Sequence, residues 1–158
     1  MAQDRRCWLF TSSTLENIEV AYQRKLWGFW DRDAVVRGEL REKLRSNWRS
    51  FIRLYNQVKP FDIVLFQLKD YRIHGVGIVS GKHYDDQTPV WPLETGKNRV
   101  FYPWRVDFGL IIYSEKPLAR LATRVENYVD GYGIGELGFH EVETVLSRLS
   151  ERSLKIKL

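Results

Sequence analysis

Two tryptophans, Trp27 and Trp91, lie in segments that have neither a helical nor a strand period. Glycine interrupts the first segment (residues 25–30, Lys-Leu-Trp-Gly-Phe-Trp), and prolines flank the indole of the second (residues 88–93, Thr-Pro-Val-Trp-Pro-Leu). Because a large flat ring costs solubility when it is exposed, each loop must fold its indole into the core or use it on a ligand. Ordinary burial is the simpler interpretation for either ring alone. Two such rings that face each other across a slot could clamp a planar group such as a nucleobase.

Size and composition favour one soluble domain. The chain has 158 residues, of which 44% are hydrophobic and 28% charged, and this is enough to bury a core. The longest apolar runs, near residues 63–66 and 110–113, are far too short to span a bilayer, so no membrane association is expected. The single cysteine, Cys7, cannot form an internal disulfide, and no signal-peptide pattern opens the sequence. These features predict a reducing, cytoplasmic setting.

The first elements can be placed from their patterns. Residues 6–12 alternate as a strand, and Ser13-Thr14-Leu15-Glu16 has the spacing of a capping box, so a helix is expected from there to about Lys25. The loop with Trp27 and Trp30 follows. A second helix is predicted over about residues 33–57. The later elements are predicted as strands over 61–68, 73–80, 99–108 and 110–113, a long loop over 81–98, an ambiguous segment over 117–128, a final helix over 139–152 and a tail over 154–158.

Positive charge is concentrated in the predicted second helix. The net charge is +5, and residues 31–59 carry eight basic and four acidic residues, which is +4 of that total. Five arginines recur at every fourth position and would share one helix face: Arg37, Arg41, Arg45, Arg49 and Arg53. Such a row is either a solvated face or a surface that contacts phosphates, and the pattern leaves both interpretations open.

The sequence lacks the patterns of enzyme chemistry. It has no Cys-x-x-Cys, no His-Glu-x-x-His, no Gly-x-Ser-x-Gly and no phosphate loop with Gly-Lys-Ser/Thr. Residues 133–138 match Gly-x-Gly-x-x-Gly, but only 20 residues follow, too few for a nucleotide-binding βαβ unit, so we interpret them as a flexible turn. Asp85 and Asp86 are expected to face solvent. We therefore expect a non-enzymatic chain that needs no metal or other cofactor.

Several motifs occur in a set order between residues 6 and 113. An aromatic strand and a capped helix are followed by Trp-Gly at 27–28, Val-Lys-Pro-Phe-Asp at 58–62, Gly-Val-Gly-Ile at 75–78 and Tyr-Pro-Trp-Arg-Val at 102–106. This order resembles that of the EVE and YTH families, which share a PUA-like fold. The resemblance implies an α+β domain with a small mixed β-barrel surrounded by helices.

The resemblance also implies the extent of the domain. Residues 1–158 would form a single EVE/YTH-like domain, with a motif-supported core at about 6–113 and a helical extension at about 114–158.

Taken position by position, the resemblance implies a cage for a modified base. Trp27 and Trp91 match the two aromatic residues that hold a methylated adenine in YTH domains. Asn17 matches a polar position that faces the base edge, Ser13 a neighbouring contact, and Gly28 the backbone beside the cage. The remaining cage candidates are Trp30 and Leu93.

Basic side chains would hold the nucleic-acid backbone without reading its sequence. The candidates for this phosphate-binding role are Arg37, Arg41, Arg72, Lys97, Arg99 and Arg105. RNA-binding YTH domains often carry a lysine where Thr11 stands here, and this difference favours DNA.

The resemblance implies a base-flipping reader of modified DNA, with 6-methyladenine first among the modifications and modified cytosines after it. Related modules are the N-terminal specificity domains of McrB-like restriction GTPases, so a downstream AAA+ GTPase domain and a nuclease are the expected partners. Two alternatives remain: a PUA-like domain that binds tRNA, rRNA or methylated RNA, and a protein-interaction or small-ligand domain.

Overall fold

The computed structural model of the chain describes residues 6–36, 38–120, 125–149 and 155–157. Its helices are α1 (Leu15–Arg24), α2 (Glu42–Ser46), α3 (Trp48–Gln57), α4 (Pro92–Lys97) and α5 (Phe139–Leu146). Its strands are β1 (Cys7–Ser12), β2 (Leu26–Phe29), β3 (Val35–Val36), β4 (Glu39–Leu40), β5 (Ile63–Leu68), β6 (Arg72–Tyr84), β7 (Trp104–Tyr113), β8 (Ala119–Arg120), β9 (Glu126–Val129), β10 (Ile134–Leu137) and β11 (Lys155–Lys157).

A mixed sheet organises the fold. Within the described ranges, nine strands join in the order β11-β7-β6-β5-β1-β10-β9, with β2 also paired to β7 and β8 to β6. Strand β1 runs parallel to β5 and antiparallel to β10, so it lies in the interior of the sheet. The expected α+β class is confirmed. In the part of the chain described, the sheet path ends at β9 and β11, so closure into a barrel stays a prediction.

The alternation in β1 divides the core between the two faces of the sheet. Trp8 and Phe10 pack into the larger buried cluster, whereas Cys7 and Leu9 pack into a smaller one. Successive side chains of a strand point to opposite faces, which is why one short strand supplies both clusters.

Helix α1 begins one residue later than the capping-box pattern indicated. Thr14 is the N-cap, and its hydroxyl accepts a hydrogen bond from the backbone N–H of Asn17 at 3.2 Å. Ser13 therefore lies outside the helix and is exposed. The helix ends at Lys25, whose φ of 51° turns the chain directly into β2. Trp27 consequently lies on a strand and not in a loop.

The single helix predicted over residues 33–57 is wrong. A hairpin of β3 and β4 comes first, with Gly38 at φ +77°, and then two helices separated by Asn47. Gly38 adopts a positive φ without strain, whereas a glycine in the interior of a helix destabilises that helix by about 1 kcal/mol. A hairpin turn is therefore favoured over a helix at this position. The arginine row is divided: Arg41 caps α2, Arg45 lies within it, and Arg49 and Arg53 lie on α3.

Later elements also differ from the sequence expectations. Strand β6 extends to Tyr84, the expected loop contains α4, and β7 is one continuous strand. The region after Tyr113 is not simply helical, since β8 to β11 all join the sheet and α5 ends at Leu146. Among the described helices, none has the length and apolarity to cross a membrane.

Candidate nucleic-acid interface

A cavity of about 470 Å³ opens where β1 passes into α1, beside β2. This volume lies within the range typical of small-molecule sites. Its aromatic lining consists of Trp27, Trp30, Trp91, Tyr102, Tyr128 and Tyr132. Its hydroxyl and amide lining consists of Thr11, Ser12, Ser13 and Asn17. Its charged lining consists of Arg41, Lys43, Lys69 and Asp130.

Trp27 and Trp91 meet at the cavity, but not as a sandwich. Their ring centroids are 6.0 Å apart with an angle of 77° between the planes, so the expected open slot between parallel indoles is not formed. Both rings belong to the core, with exposed fractions of 6% and 2%. Edge-to-face contact is a preferred arrangement of aromatic rings. The indoles thus form two perpendicular walls of a corner beside the cavity.

Tyr102 and Trp30 continue the aromatic wall. The Tyr102 ring lies 5.7 Å from Trp91 at 84°, and 4.7 Å from Trp30 at 62°. Leu93, expected near the third wall, does not line the cavity; Tyr102 occupies that place. The reason is that Leu93 lies inside α4, whereas Trp91 precedes the helix. Sequence reasoning used Tyr102 only as part of a motif and did not assign it to the site.

Gly28 permits the close packing of these walls. A Cβ at this position would lie 2.7 Å from the carbonyl oxygen of Tyr102 and 2.9 Å from Cζ3 of Trp91. Any side chain would therefore displace either the backbone at Tyr102 or the Trp91 indole. The resemblance placed Gly28 beside the cage, and the structure shows the steric reason for a glycine there.

The hydroxyl and amide side of the cavity has unused hydrogen-bonding groups. Among the described residues, the Asn17 amide and the Ser13 hydroxyl have no partner, although both line the cavity. The indole N–H groups of Trp27 and Trp91 are buried and also lack partners within the described part of the chain. The Asn17 amide and the Ser13 hydroxyl are accessible at the cavity, so they are suited to a ligand with donor and acceptor atoms.

Cations surround the opening. The guanidinium of Arg41 lies 4.7 Å from the centre of the Trp30 ring, and the Lys43 ammonium contacts the Asp130 carboxylate at 2.6 Å. The hydrogen bond from Lys43 lowers the pKa of Asp130 below its usual value. Lys69 also lines the opening. Three cations against one carboxylate make the opening attractive to phosphates.

Of the predicted phosphate-binding residues that the structure describes, only Arg41 lines the cavity. Arg37 lies outside the described residues. Arg72 pairs with Asp70 at 2.5 Å at the start of β6. Lys97 and Arg99, at and just after the end of α4, are exposed, and like Arg72 they lie outside the cavity lining.

Arg105 is a correction to the sequence analysis. Its side chain is 1% exposed and forms ion pairs with Asp85 at 3.1 Å and Glu94 at 3.5 Å, so it cannot hold a phosphate of the backbone. Asp85, expected to face solvent, serves instead as its partner. Motif matching identified Arg105 as part of a pattern but could not tell a buried arginine from a surface one.

The turn between β9 and β10 is the part of the site that sequence reasoning missed. Gly131 and Gly133 have φ of +88° and +75°, and both line the cavity. A Cβ on Gly133 would come 2.4 Å from the Thr11 hydroxyl, so glycine lets this turn approach the end of β1. The Gly-x-Gly-x-x-Gly match at residues 133–138 was the available signal. The flexible turn expected there is wrong, because Ile134–Leu137 forms β10 and Gly133 permits the close backbone approach.

Comparison with known proteins places this geometry in context. No family model matches the chain. The chain is 44% identical over 146 residues to the uncharacterized protein MJ1369 of Methanocaldococcus jannaschii, a match that covers 92% of this chain and 90% of the relative.

Two solved structures share the fold. One is the YTH domain of Toxoplasma CPSF4 in complex with a seven-nucleotide RNA modified with m6A, with a TM-score of 0.55 and 14% identity over 96% of this chain and 94% of that one. The other is the YTH domain of Zygosaccharomyces rouxii MRB1 in complex with N6-methyladenosine RNA, with a TM-score of 0.55 and 14% identity over 93% of this chain and 88% of that one.

Proposed function

We propose, from the premise that this chain belongs to the same family as MJ1369 and has the fold of YTH domains, that it captures one N6-methyladenine base of a nucleic acid in its aromatic cavity. The observation that carries the proposal is the perpendicular corner of Trp27 and Trp91 beside the unpaired amide of Asn17. The proposed role is binding, with no chemical step.

The corner suits a methylated base better than an unmethylated one. An adenine that stacks on one indole gains about 1–3 kcal/mol and directs its edge toward the other ring. A methyl group buried there adds about 0.8 kcal/mol, only about a fourfold preference. Stronger selectivity requires that water has no good site when the methyl is absent. The aromatic ring surfaces beside the cavity support this, because an apolar ring face gives water no hydrogen-bonding partner.

The polar side of the cavity supports recognition of the ring edge. The Asn17 amide supplies both a donor and an acceptor, and the Ser13 hydroxyl supplies either. A base with ring-nitrogen acceptors and an exocyclic amine could form hydrogen bonds with both of these side chains. A purely apolar ligand would leave them unsatisfied.

A base must leave its stack to enter the cavity. Extrusion from a duplex costs a few kcal/mol, so we expect single strands to bind more tightly than matched duplexes. The preference for DNA rests on Thr11 and stays a prediction, as does the McrB-like setting with a GTPase and a nuclease. Because the crystallised YTH domains of this fold are in complex with methylated RNA, the binding experiment must compare RNA and DNA on equal terms.

A binding panel tests the proposal. Oligonucleotides of one sequence would carry adenine, 6-methyladenine, cytosine or 5-methylcytosine in turn, each as DNA and as RNA, and single-stranded or duplex. We expect fluorescence anisotropy to show a preference of about tenfold or more for 6-methyladenine over adenine, as a well-fitted apolar pocket gives for one extra carbon. Equal affinity for the two adenines would contradict the proposal. Tight binding of structured, unmodified RNA would instead favour the PUA-like alternative.

The role of Arg41 is testable through salt dependence. If its guanidinium neutralises one phosphate, Arg41→Ala should reduce the slope of log affinity against log salt by about 0.7–0.9 and leave the methyl preference unchanged. Lys155→Ala is the matched control, because Lys155 pairs with Glu115 on a strand outside the cavity lining. Equal slopes for Arg41→Ala, Lys155→Ala and the wild type would remove the phosphate role.

A further inference from the structure

Behind the cavity wall lies a buried carboxylate that joins two separate segments of the chain. Glu94 is fully buried. Its Oε1 accepts hydrogen bonds from the backbone N–H groups of Val90 at 2.8 Å and Trp91 at 3.4 Å. Its Oε2 accepts from those of Phe101 at 2.8 Å and Tyr102 at 2.9 Å. One side chain therefore fixes the backbone of both Trp91 and Tyr102, two aromatic walls of the cavity.

Arg105 completes this support. Its Nε donates to the carbonyl of Tyr102 at 3.1 Å, and its other nitrogens reach the carbonyl of Thr88 at 2.5 Å and the Asp85 carboxylate at 3.1 Å. The guanidinium carbon also lies 5.4 Å from the centre of the Trp91 ring. The planar fork of an arginine can hold several acceptors at once in one orientation, which a lysine cannot.

We infer that Glu94 and Arg105 are positioning residues that set the angle between Trp91 and Tyr102 and thereby determine the preference for a methylated base. The inference rests on the proposed function, because preference is the property it explains. Neither side chain lines the cavity, so both can affect a bound base only by holding Trp91 and Tyr102 in place. A well-ordered site needs supporting contacts of this kind, and a small shift of a wall opens room for water beside an unmethylated amine.

The charge on Glu94 also affects its neighbour. Burial, and then the negative charge of Glu94, raise the pKa of Tyr102 to about 12, so its phenol is neutral at physiological pH. A neutral ring beside Trp91 preserves an apolar wall. The positioning role itself rests on the hydrogen bonds and not on this titration.

Glu94→Gln is the decisive variant. Each carboxylate oxygen accepts two backbone N–H groups, so a glutamine must turn its NH₂ group toward one pair and leave that pair without an acceptor. Either the Trp91 segment or the Tyr102 segment is then released. We expect the ratio of affinities for methylated and unmethylated oligonucleotides to fall by about fivefold or more. In heteronuclear NMR, the indole N–H resonance of Trp91 should shift or broaden, while that of Trp8 stays unchanged.

Asp62→Asn is the matched control. Asp62 is also a buried carboxylate, and it accepts from the backbone N–H groups of Arg6 at 3.0 Å and Lys59 at 2.9 Å and from the Trp8 indole at 2.9 Å, outside the cavity lining. Its loss should lower thermal stability comparably and leave the methyl preference intact. If Asp62→Asn and Glu94→Gln lose the preference equally, or if Glu94→Gln retains it, the positioning role is overturned.

Asp85→Asn covers the case in which Glu94→Gln does not fold. Asp85 is partly exposed. Its replacement by asparagine weakens the ion pair with Arg105 and leaves Glu94 unchanged, so we expect a smaller loss of the methyl preference in the same direction. An unchanged preference in this variant would then overturn the inference. If the wild type shows no methyl preference, the proposed function fails separately. NMR still decides the positioning role, because an unshifted Trp91 resonance in Glu94→Gln excludes it.

Discussion

Replacing Trp91 by phenylalanine is expected to weaken binding of a 6-methyladenine oligonucleotide by about tenfold, which corresponds to about 1.4 kcal/mol. The smaller ring offers less stacking surface to a base. Binding of the unmethylated oligonucleotide should fall less, because it has no methyl group whose contact with the indole could be lost. Anisotropy titrations of the two oligonucleotides measure both effects.

A full truncation would be harder to interpret. Trp91 is 2% exposed, so Trp91→Ala should also cost about 3–5 kcal/mol of unfolding free energy through the cavity it leaves. Trp8→Phe is the matched control for Trp91→Phe. Trp8 is fully buried in the same core cluster, and its indole N–H bonds to Asp62 at 2.9 Å, outside the cavity lining. If both phenylalanine variants bind like the wild type, the Trp91 face is not a contact surface for the base.

The sequence allowed us to predict which residue types line the cavity, but not how their side chains are arranged. Trp27, Trp91 and Asn17 line one cavity, and their role as a base cage stays a prediction. The backbones of Trp91 and Tyr102 are joined through Glu94 and Arg105, whose contacts link segments that are separated along the chain. Local sequence patterns give no information about such long-range contacts. The sequence therefore cannot distinguish two parallel indoles from two perpendicular ones. Burial itself was ambiguous, because both indoles are core residues and cavity walls at once.

The errors in the fold have a related physical origin. An apolar and basic period runs through residues 40–55, yet Asn47 interrupts the helix with φ −99° and ψ 7°, and Gly38 starts a hairpin before it. Periodicity describes which residues face the core and is insensitive to a short break between two helices on the same face. The arginine row was a consequence of that assumed continuity. In contrast, β1 was predicted well, because Cys7 to Phe10 is a short continuous apolar run, which suits a strand that is buried on both faces.

Replacing Gly28 by alanine is expected to abolish selective binding, with affinity for the methylated oligonucleotide reduced by about tenfold or more. The added Cβ would lie 2.7 Å from the Tyr102 carbonyl oxygen and 2.9 Å from the Trp91 ring. Gly28 pairs with Arg105 across β2 and β7, so neither backbone can easily move away. Overpacking of this kind costs about 1–3 kcal/mol, and we expect it to appear as a wall displaced into the cavity.

Gly96→Ala provides the comparison for Gly28→Ala. Gly96 lies in α4, close in sequence to Trp91, and a Cβ there meets no atom within 4 Å. Alanine in a helix interior should raise the unfolding free energy by about 0.5–1 kcal/mol and leave binding unchanged. For both variants, denaturant unfolding measures the free energy of unfolding and fluorescence anisotropy measures binding. Together they distinguish a displaced cavity wall from a general loss of stability. If Gly28→Ala binds like the wild type, the spacing of Trp91 and Tyr102 does not control recognition, and the proposed role of the Trp27–Trp91 corner in base binding is contradicted.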